Sequence, residues 1–93
     1  MKLWILDLHD KAKKQLQNLP KDTQKRIISY FEERVLTHID PISLASPLVG
    51  EMSGFYRYRI GDYRVITSID RGKMIVLALE IGHRKEIYKK IHH

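Results

Sequence analysis

Residues 54–70 read GFYRYRIGDYRVITSID. Two runs rich in aromatic and β-branched residues, Phe55–Ile60 and Tyr63–Ile69, flank the dipeptide Gly61-Asp62. A two-residue turn with glycine first is a type II′ hairpin signal, because its first central position needs a positive φ. That turn sets a register: Ile60 faces Tyr63, Arg59 faces Arg64, Tyr58 faces Val65 and Arg57 faces Ile66. Directly opposed residues share a face of the sheet. Tyr56, Tyr58, Ile60, Tyr63, Val65, Thr67 and Ile69 therefore form one face, the one expected to pack on helices. Arg57, Arg59 and Arg64 meet on the other.

Opposed like charges destabilise a sheet by some tenths of a kcal/mol. A face needing only solvation could alternate Lys with Glu. Here three guanidiniums converge with no acid on the same face of either strand. Two readings stand: a charged outer face that blocks edge-to-edge pairing, or an anion site.

Downstream, Asp70-Arg71-Gly72 leads to a third strand, Met74–Ile81, rich in β-branched and aliphatic residues. With Gly72 as the left-handed residue of a bulged turn, Ile75, Leu77, Leu79 and Ile81 join the core face. Met74, Val76, Ala78 and Glu80 then share the arginine face, with Ala78 opposite Arg64. Arg84 continues that parity. The tail, HRKEIYKKIHH, suits a short helix.

Upstream, Lys2–Leu8 is a nearly continuous apolar run, as in a strand covered on both sides. Trp4 within it reads as core. Leu8, Ala12, Leu16 and Leu19 recur at helical spacing up to Pro20. A second helix, Lys21 to His38, carries Ile27, Ile28, Phe31, Val35 and Leu36 on one stripe. Asp40-Pro41 stops it, since the residue before proline avoids helical angles. Residues 42–54 have no period; Leu44, Leu48 and Val49 are the apolar residues expected to tuck into the core. The order β-α-α-β-β-β predicts an α+β fold: a helical hairpin packed on a mainly antiparallel four-stranded sheet.

The length of 93 residues suits a single domain over 1–93. An apolar fraction of 43% argues against disorder, and no apolar run approaches the ~20 residues of a membrane span. The start, MKLWILDLHDK, lacks the longer apolar run of a secretory signal. With no cysteine, disulfides, thiolate metal sites and thiol nucleophiles are excluded, which fits a reducing cytoplasm. The 17 basic and 11 acidic side chains leave +6, and arginine gathers in the second half. A pI near 9.7 is common among polyanion-binding domains.

Arginine binds phosphate through a planar bidentate fork and stays charged. Arg57, Arg59, Arg64 and Arg84 together suit a transition state that gains negative charge at phosphorus. Tyr88 offers an aromatic platform for an unpaired base or a proton donor. His83 has the right pKa for acid–base work beside this cluster, although a lone histidine is more often a plain surface residue. The other histidines show no metal-ligand spacing, and no phosphate-binding glycine loop or hydrolase elbow is present.

These strings, GFYRYRIGDYRVITSID and IVLALEIGHRKEIYKK, resemble the RelE/ParE superfamily of toxins from toxin–antitoxin modules. The likeness is densest from Leu48 to Tyr88 and weak in the helices. The resemblance to its RelE branch implies a ribosome-dependent endoribonuclease that cuts mRNA in the A site without metal or cofactor. In that reading Arg64 contacts the scissile phosphate, Arg84 is a second catalytic arginine, and Tyr88 orients the target nucleotide. Arg57 and Arg59 stand where well-known members carry lysines, and arginine cannot readily act as a base. They and His83 would hold RNA phosphate. The implied partners are a cognate antitoxin, in a hetero-oligomer, and mRNA on the cytoplasmic ribosome, with no membrane. The ParE branch implies the alternative, a DNA gyrase inhibitor without nuclease activity.

Overall fold

A computed structural model describes residues 1–91, with side chains through Ile87. Strand β1 is Ile5–Leu8, followed by α1 (Asp10–Gln17) and α2 (Lys21–Tyr30). Helix α2 runs on into a π-helical turn, Phe31–Val35, closed by the Leu36 N–H on the Phe31 carbonyl at 2.8 Å. A two-residue strand, β2 (Ser46–Pro47), precedes β3 (Tyr56–Ile60), β4 (Tyr63–Asp70), β5 (Ile75–His83) and the terminal helix α3 (Arg84–Ile91). The sheet order is β1-β5-β4-β3-β2, with β1 parallel to β5 and the other pairs antiparallel. It is an α+β domain with five strands where the sequence suggests four. The fifth is β2, too short for any periodicity to show.

The β3–β4 register is the one the turn demands, with Arg59 opposite Arg64 and Tyr58 opposite Val65. Gly61 has φ +58, and Asp62 is outside the positive-φ set, as a II′ turn requires. Tyr58, Ile60 and Val65 are buried against Leu16, Ile27, Phe31 and Val35 of the helical layer, and Thr67 is buried as well. The π turn helps by turning Phe31, Val35 and Leu36 inward together.

Strand β5 departs from expectation. The bulge lies inside the ladder, where Ile66 pairs with Glu80 and Thr67 with Ala78, leaving Leu79 extra. Met74, not Gly72, takes the positive φ of the preceding turn. Val76, Ala78 and Ile81 are therefore the core residues, while Ile75, Leu77 and Leu79 are only partly buried. Gly82, not Ala78, stands opposite Arg64. Strand β1 is an edge rather than a doubly covered strand: Trp4 is buried but Ile5 is 63% exposed. Of the loop residues, Leu44 and Val49 stay exposed, and Pro41 and Ala45 pack in their place.

The outer face is not wholly solvated either. Ile66 is buried there, and Met52, Phe55, Leu79 and Ile87 of α3 join it around a cleft of about 470 Å³. One half of the outer face is thus apolar and the other cationic. No helix among the described residues is long and apolar enough to cross a membrane.

The loop after α2 is tied to the core by Tyr58, whose hydroxyl donates to the Pro41 carbonyl at 2.6 Å. Its ring meets Phe31 edge-on at 5.1 Å. Burial first, then the neighbouring Tyr30 and Asp40, push its pKa well above the ordinary 10.0. The folded state therefore favours the neutral phenol. Its contribution is complete below about pH 10 and is lost as pH rises above the unfolded value. Tyr58→Phe should cost about 1–3 kcal/mol at neutral pH by leaving a buried acceptor unpaired. The gap from wild type should narrow above about pH 10. Urea unfolding across that range checks both; a gap that stays constant to high pH would contradict the burial of the hydroxyl.

Candidate active site

The site begins at the Gly61-Asp62 turn. Arg64 is only 8% exposed. Its Nη1 donates to the Gly61 carbonyl and to the Tyr63 carbonyl, both at 2.9 Å. Those two bonds use both Nη1 hydrogens. The Nε–Nη2 edge makes no hydrogen bond among the described residues and is not sealed from solvent. That edge is a bidentate donor pair held in a fixed plane, the geometry that suits a phosphate.

The same turn holds Arg84. The Arg84 N–H donates to the Asp62 carbonyl at 2.7 Å, and its Nε lies 3.8 Å from Asp62 Oδ1. The first residue of α3 is thereby fixed beside the hairpin tip. Burial first, then Arg59, Arg57 and Arg84, lower the pKa of Arg64, and Asp62 partly opposes them. The other three arginines predicted from sequence therefore all act on Arg64 through space. The guanidinium still remains charged at physiological pH, because arginine begins so far above it. Arg57 is half-buried, whereas Arg59 and Arg84 are exposed.

His83 is not brought to this group. It pairs with Tyr63 in the ladder and so lies on the helix-facing side, with its ring 5.7 Å from the Tyr63 ring. Its Nδ1 accepts the Lys85 N–H at 3.3 Å, which caps the start of α3. The histidine positions the helix that carries Arg84 instead of standing beside Arg64. The Tyr88 backbone belongs to α3, but its side chain lies outside the described residues, as do His92 and His93. Among the described residues, no three His, Cys, Asp or Glu side chains converge as a metal site would need.

Sequence reasoning missed Gly82. An added Cβ there would meet Ile87 Cδ1 at 3.3 Å and Cγ1 at 3.4 Å. The glycine lets α3 lie close over the strand directly opposite Arg64. A glycine inside a strand is a signal of close approach, so the position was readable in kind, though not what approaches.

A family model described as the ParE toxin of the type II toxin–antitoxin system, parDE, matches residues 6–88. Toxin RelG of Mycobacterium tuberculosis is 30% identical over 81 residues, covering 85% of this chain and 88% of the relative. The chain belongs to the RelE/ParE toxin family. Toxin RelE of the same organism is 31% identical over 78 residues, 84% of this chain and 78% of the relative. Among solved structures, the RelBE2 toxin–antitoxin complex of M. tuberculosis contains a chain of the same fold. The TM-score is 0.80 at 24% identity, over 90% of this chain and 94% of that one. As a RelE/ParE family member the protein is a toxin of a type II toxin–antitoxin system, and its arginine cluster sits on the outer face of that fold.

The close approach at Gly82 can be tested directly. Gly82→Val should cost about 1–3 kcal/mol through overpacking against Ile87. The loss should appear as faster amide exchange in α3 than in β4. Unchanged exchange in α3 would contradict the close approach.

Proposed function

We propose that this toxin is a ribosome-dependent endoribonuclease that cuts mRNA through the arginine cluster. The observation that carries the reading is the free Nε–Nη2 edge of Arg64, locked by Gly61 and Tyr63 and ringed by Arg57, Arg59 and Arg84. A family whose relatives are named RelE and RelG supports it.

In the proposed reaction a ribose 2′-oxygen attacks the adjacent phosphorus. The O2′–P bond forms and the P–O5′ bond breaks, leaving a 2′,3′-cyclic phosphate and a 5′-hydroxyl. The 2′-hydroxyl proton leaves the attacking oxygen, and the departing O5′ acquires one. The transition state carries more charge on its non-bridging oxygens than the ground state. Donors fixed before the reaction stabilise that increment without reorganising. Arg64 grips two phosphate oxygens, while Arg84 stands at the hairpin tip to meet the phosphate or the leaving oxygen. Arg57 and Arg59 neutralise the flanking backbone. Tyr88, on the same short helix as Arg84, orients the nucleotide. The cytoplasmic message on a ribosome is the substrate. A cognate antitoxin neutralises the toxin as a hetero-oligomer, a reading supported by the likeness to a chain of the RelBE2 toxin–antitoxin complex.

The family description also names ParE, so gyrase inhibition is the second reading. It uses the same fold without chemistry at the arginines.

Purified protein in a cell-free translation reaction, with message ends mapped by primer extension, separates the two. New ends should appear within translated codons only when ribosomes are present. Arg64→Ala and Arg84→Ala should each slow cutting about 10²–10³-fold. Undiminished cutting in both variants would overturn the arginine mechanism. Intact message with inhibited gyrase supercoiling would favour the second reading.

A further inference from the structure

A second cationic surface lies around the corner from the arginine cluster. Strand β2 pairs only with Tyr56 and Arg57, so β3 beyond Arg57 has no strand on its far side. There α2 and its π turn run past the sheet. Arg26, Tyr30 and Arg34, at four-residue spacing, line a cleft of about 390 Å³ together with Arg59 and Ile60. The guanidinium of Arg26 lies over the hairpin turn, where a Cβ on Gly61 would meet its Nη1 at 2.9 Å.

Three properties distinguish this cleft from an ordinary solvated rim. None of Arg26, Arg34 and Arg59 makes an ion pair with an acid among the described residues, although Lys2, Lys11, Arg71 and Arg84 all do. Three uncompensated guanidiniums at one cleft repel one another, which a polyanion would relieve. The aromatic side chain among them, Tyr30, is part-exposed, and its hydroxyl has no hydrogen-bond partner among the described residues. Finally, Arg59 belongs to both surfaces, since it lines the cleft and also acts on Arg64. A basic track therefore runs from Arg64 over the sheet edge to α2.

We propose that Arg26, Tyr30, Arg34 and Arg59 form a second subsite for single-stranded RNA, receiving the strand that flanks the scissile phosphate. Arg26 and Arg34 hold backbone phosphates. Tyr30 meets an unpaired base or a 2′-hydroxyl, an interaction that bases stacked within a duplex do not offer. The proposal rests on the RNA-cutting reading above for what the strand is, but not for whether the surface binds it.

The test is fluorescence anisotropy of a short fluorescein-labelled single-stranded RNA, titrated with the full chain over a series of potassium chloride concentrations. Glutamine keeps the arginine stem out to about the position of Nε, so Arg26→Gln/Arg34→Gln removes both guanidiniums, including the one over Gly61, while retaining the apolar stems. The double variant should weaken binding roughly tenfold at low salt. It should flatten the slope of log Kd against log salt by about 1.4, since each phosphate that is no longer neutralised lowers it by about 0.7. Arg34→Gln alone should flatten it by about 0.7 and remains informative if the double variant does not fold. Arg71→Gln, at the opposite end of β4, should leave the slope unchanged. No binding by wild type, or an unchanged slope in the variants, would overturn the subsite. Equal losses on duplex RNA would overturn its assignment to unpaired strands. Cutting is scored separately. Message cleavage with an unchanged slope removes the subsite and spares Arg64. A flattened slope in a chain that cuts nothing removes the nuclease reading and keeps the RNA surface.

Discussion

The Gly61-Asp62 turn is the constraint on which the functional face depends. Its geometry selects the register that opposes Arg59 to Arg64. Its two carbonyls then receive the groups that matter: Gly61 accepts Arg64 Nη1, and Asp62 accepts the Arg84 N–H. One tight turn thereby locates two arginines that are twenty residues apart in sequence. A residue other than glycine at position 61 would have to adopt φ +58 and crowd the Arg26 guanidinium. The turn is therefore a hub for β3, β4, α2 and α3 together.

The electrostatics follow from that packing. Burial of the Arg64 charge, and then the nearness of three more guanidiniums, are unfavourable by themselves, and the lowered pKa of Arg64 expresses both. The arrangement persists because two backbone acceptors offset the burial of Arg64, and Asp62 offers partial compensation. What remains unsatisfied is positive charge directed at solvent. In the proposed reaction such a surface would be preorganised for a phosphodiester, since its donors are already in place when charge develops. It also suits neutralisation by an acidic partner, the electrostatic logic of a toxin paired with an antitoxin.

The hairpin and its arginine face were legible because a two-residue turn admits one register, and residue parity then assigns every side chain. The helical hairpin was legible from the spacing of Ala12, Leu16, Ile27 and Phe31. The rest was hidden for identifiable reasons. The β5 bulge at Leu79 sits between Ala78 and Glu80 with no glycine or proline to mark it. Parity counted from Gly72 therefore puts Val76 and Ala78 on the wrong face. His83 adjoins Arg84 in sequence but belongs to the opposite face, so nearness along the chain misleads. The apolar run Lys2–Leu8 reads as a covered strand, yet strand order puts β1 at an edge. The cleft of Arg26, Tyr30 and Arg34 depends on β2 being too short to cover β3, and nothing in the helix sequence signals that.

The central claim is that one phosphate is held jointly by the free edge of Arg64 and by Arg84. It is tested most directly by side-chain NMR of ¹⁵N-labelled toxin titrated with a short single-stranded RNA carrying a non-reactive 2′-deoxy sugar at the cut position. The Nε–H resonances of Arg64 and Arg84 should shift together along one saturable curve, with Arg71 unmoved. A titration in which Arg64 stays fixed while exposed arginines shift without saturation would contradict the claim and reduce the cluster to diffuse charge.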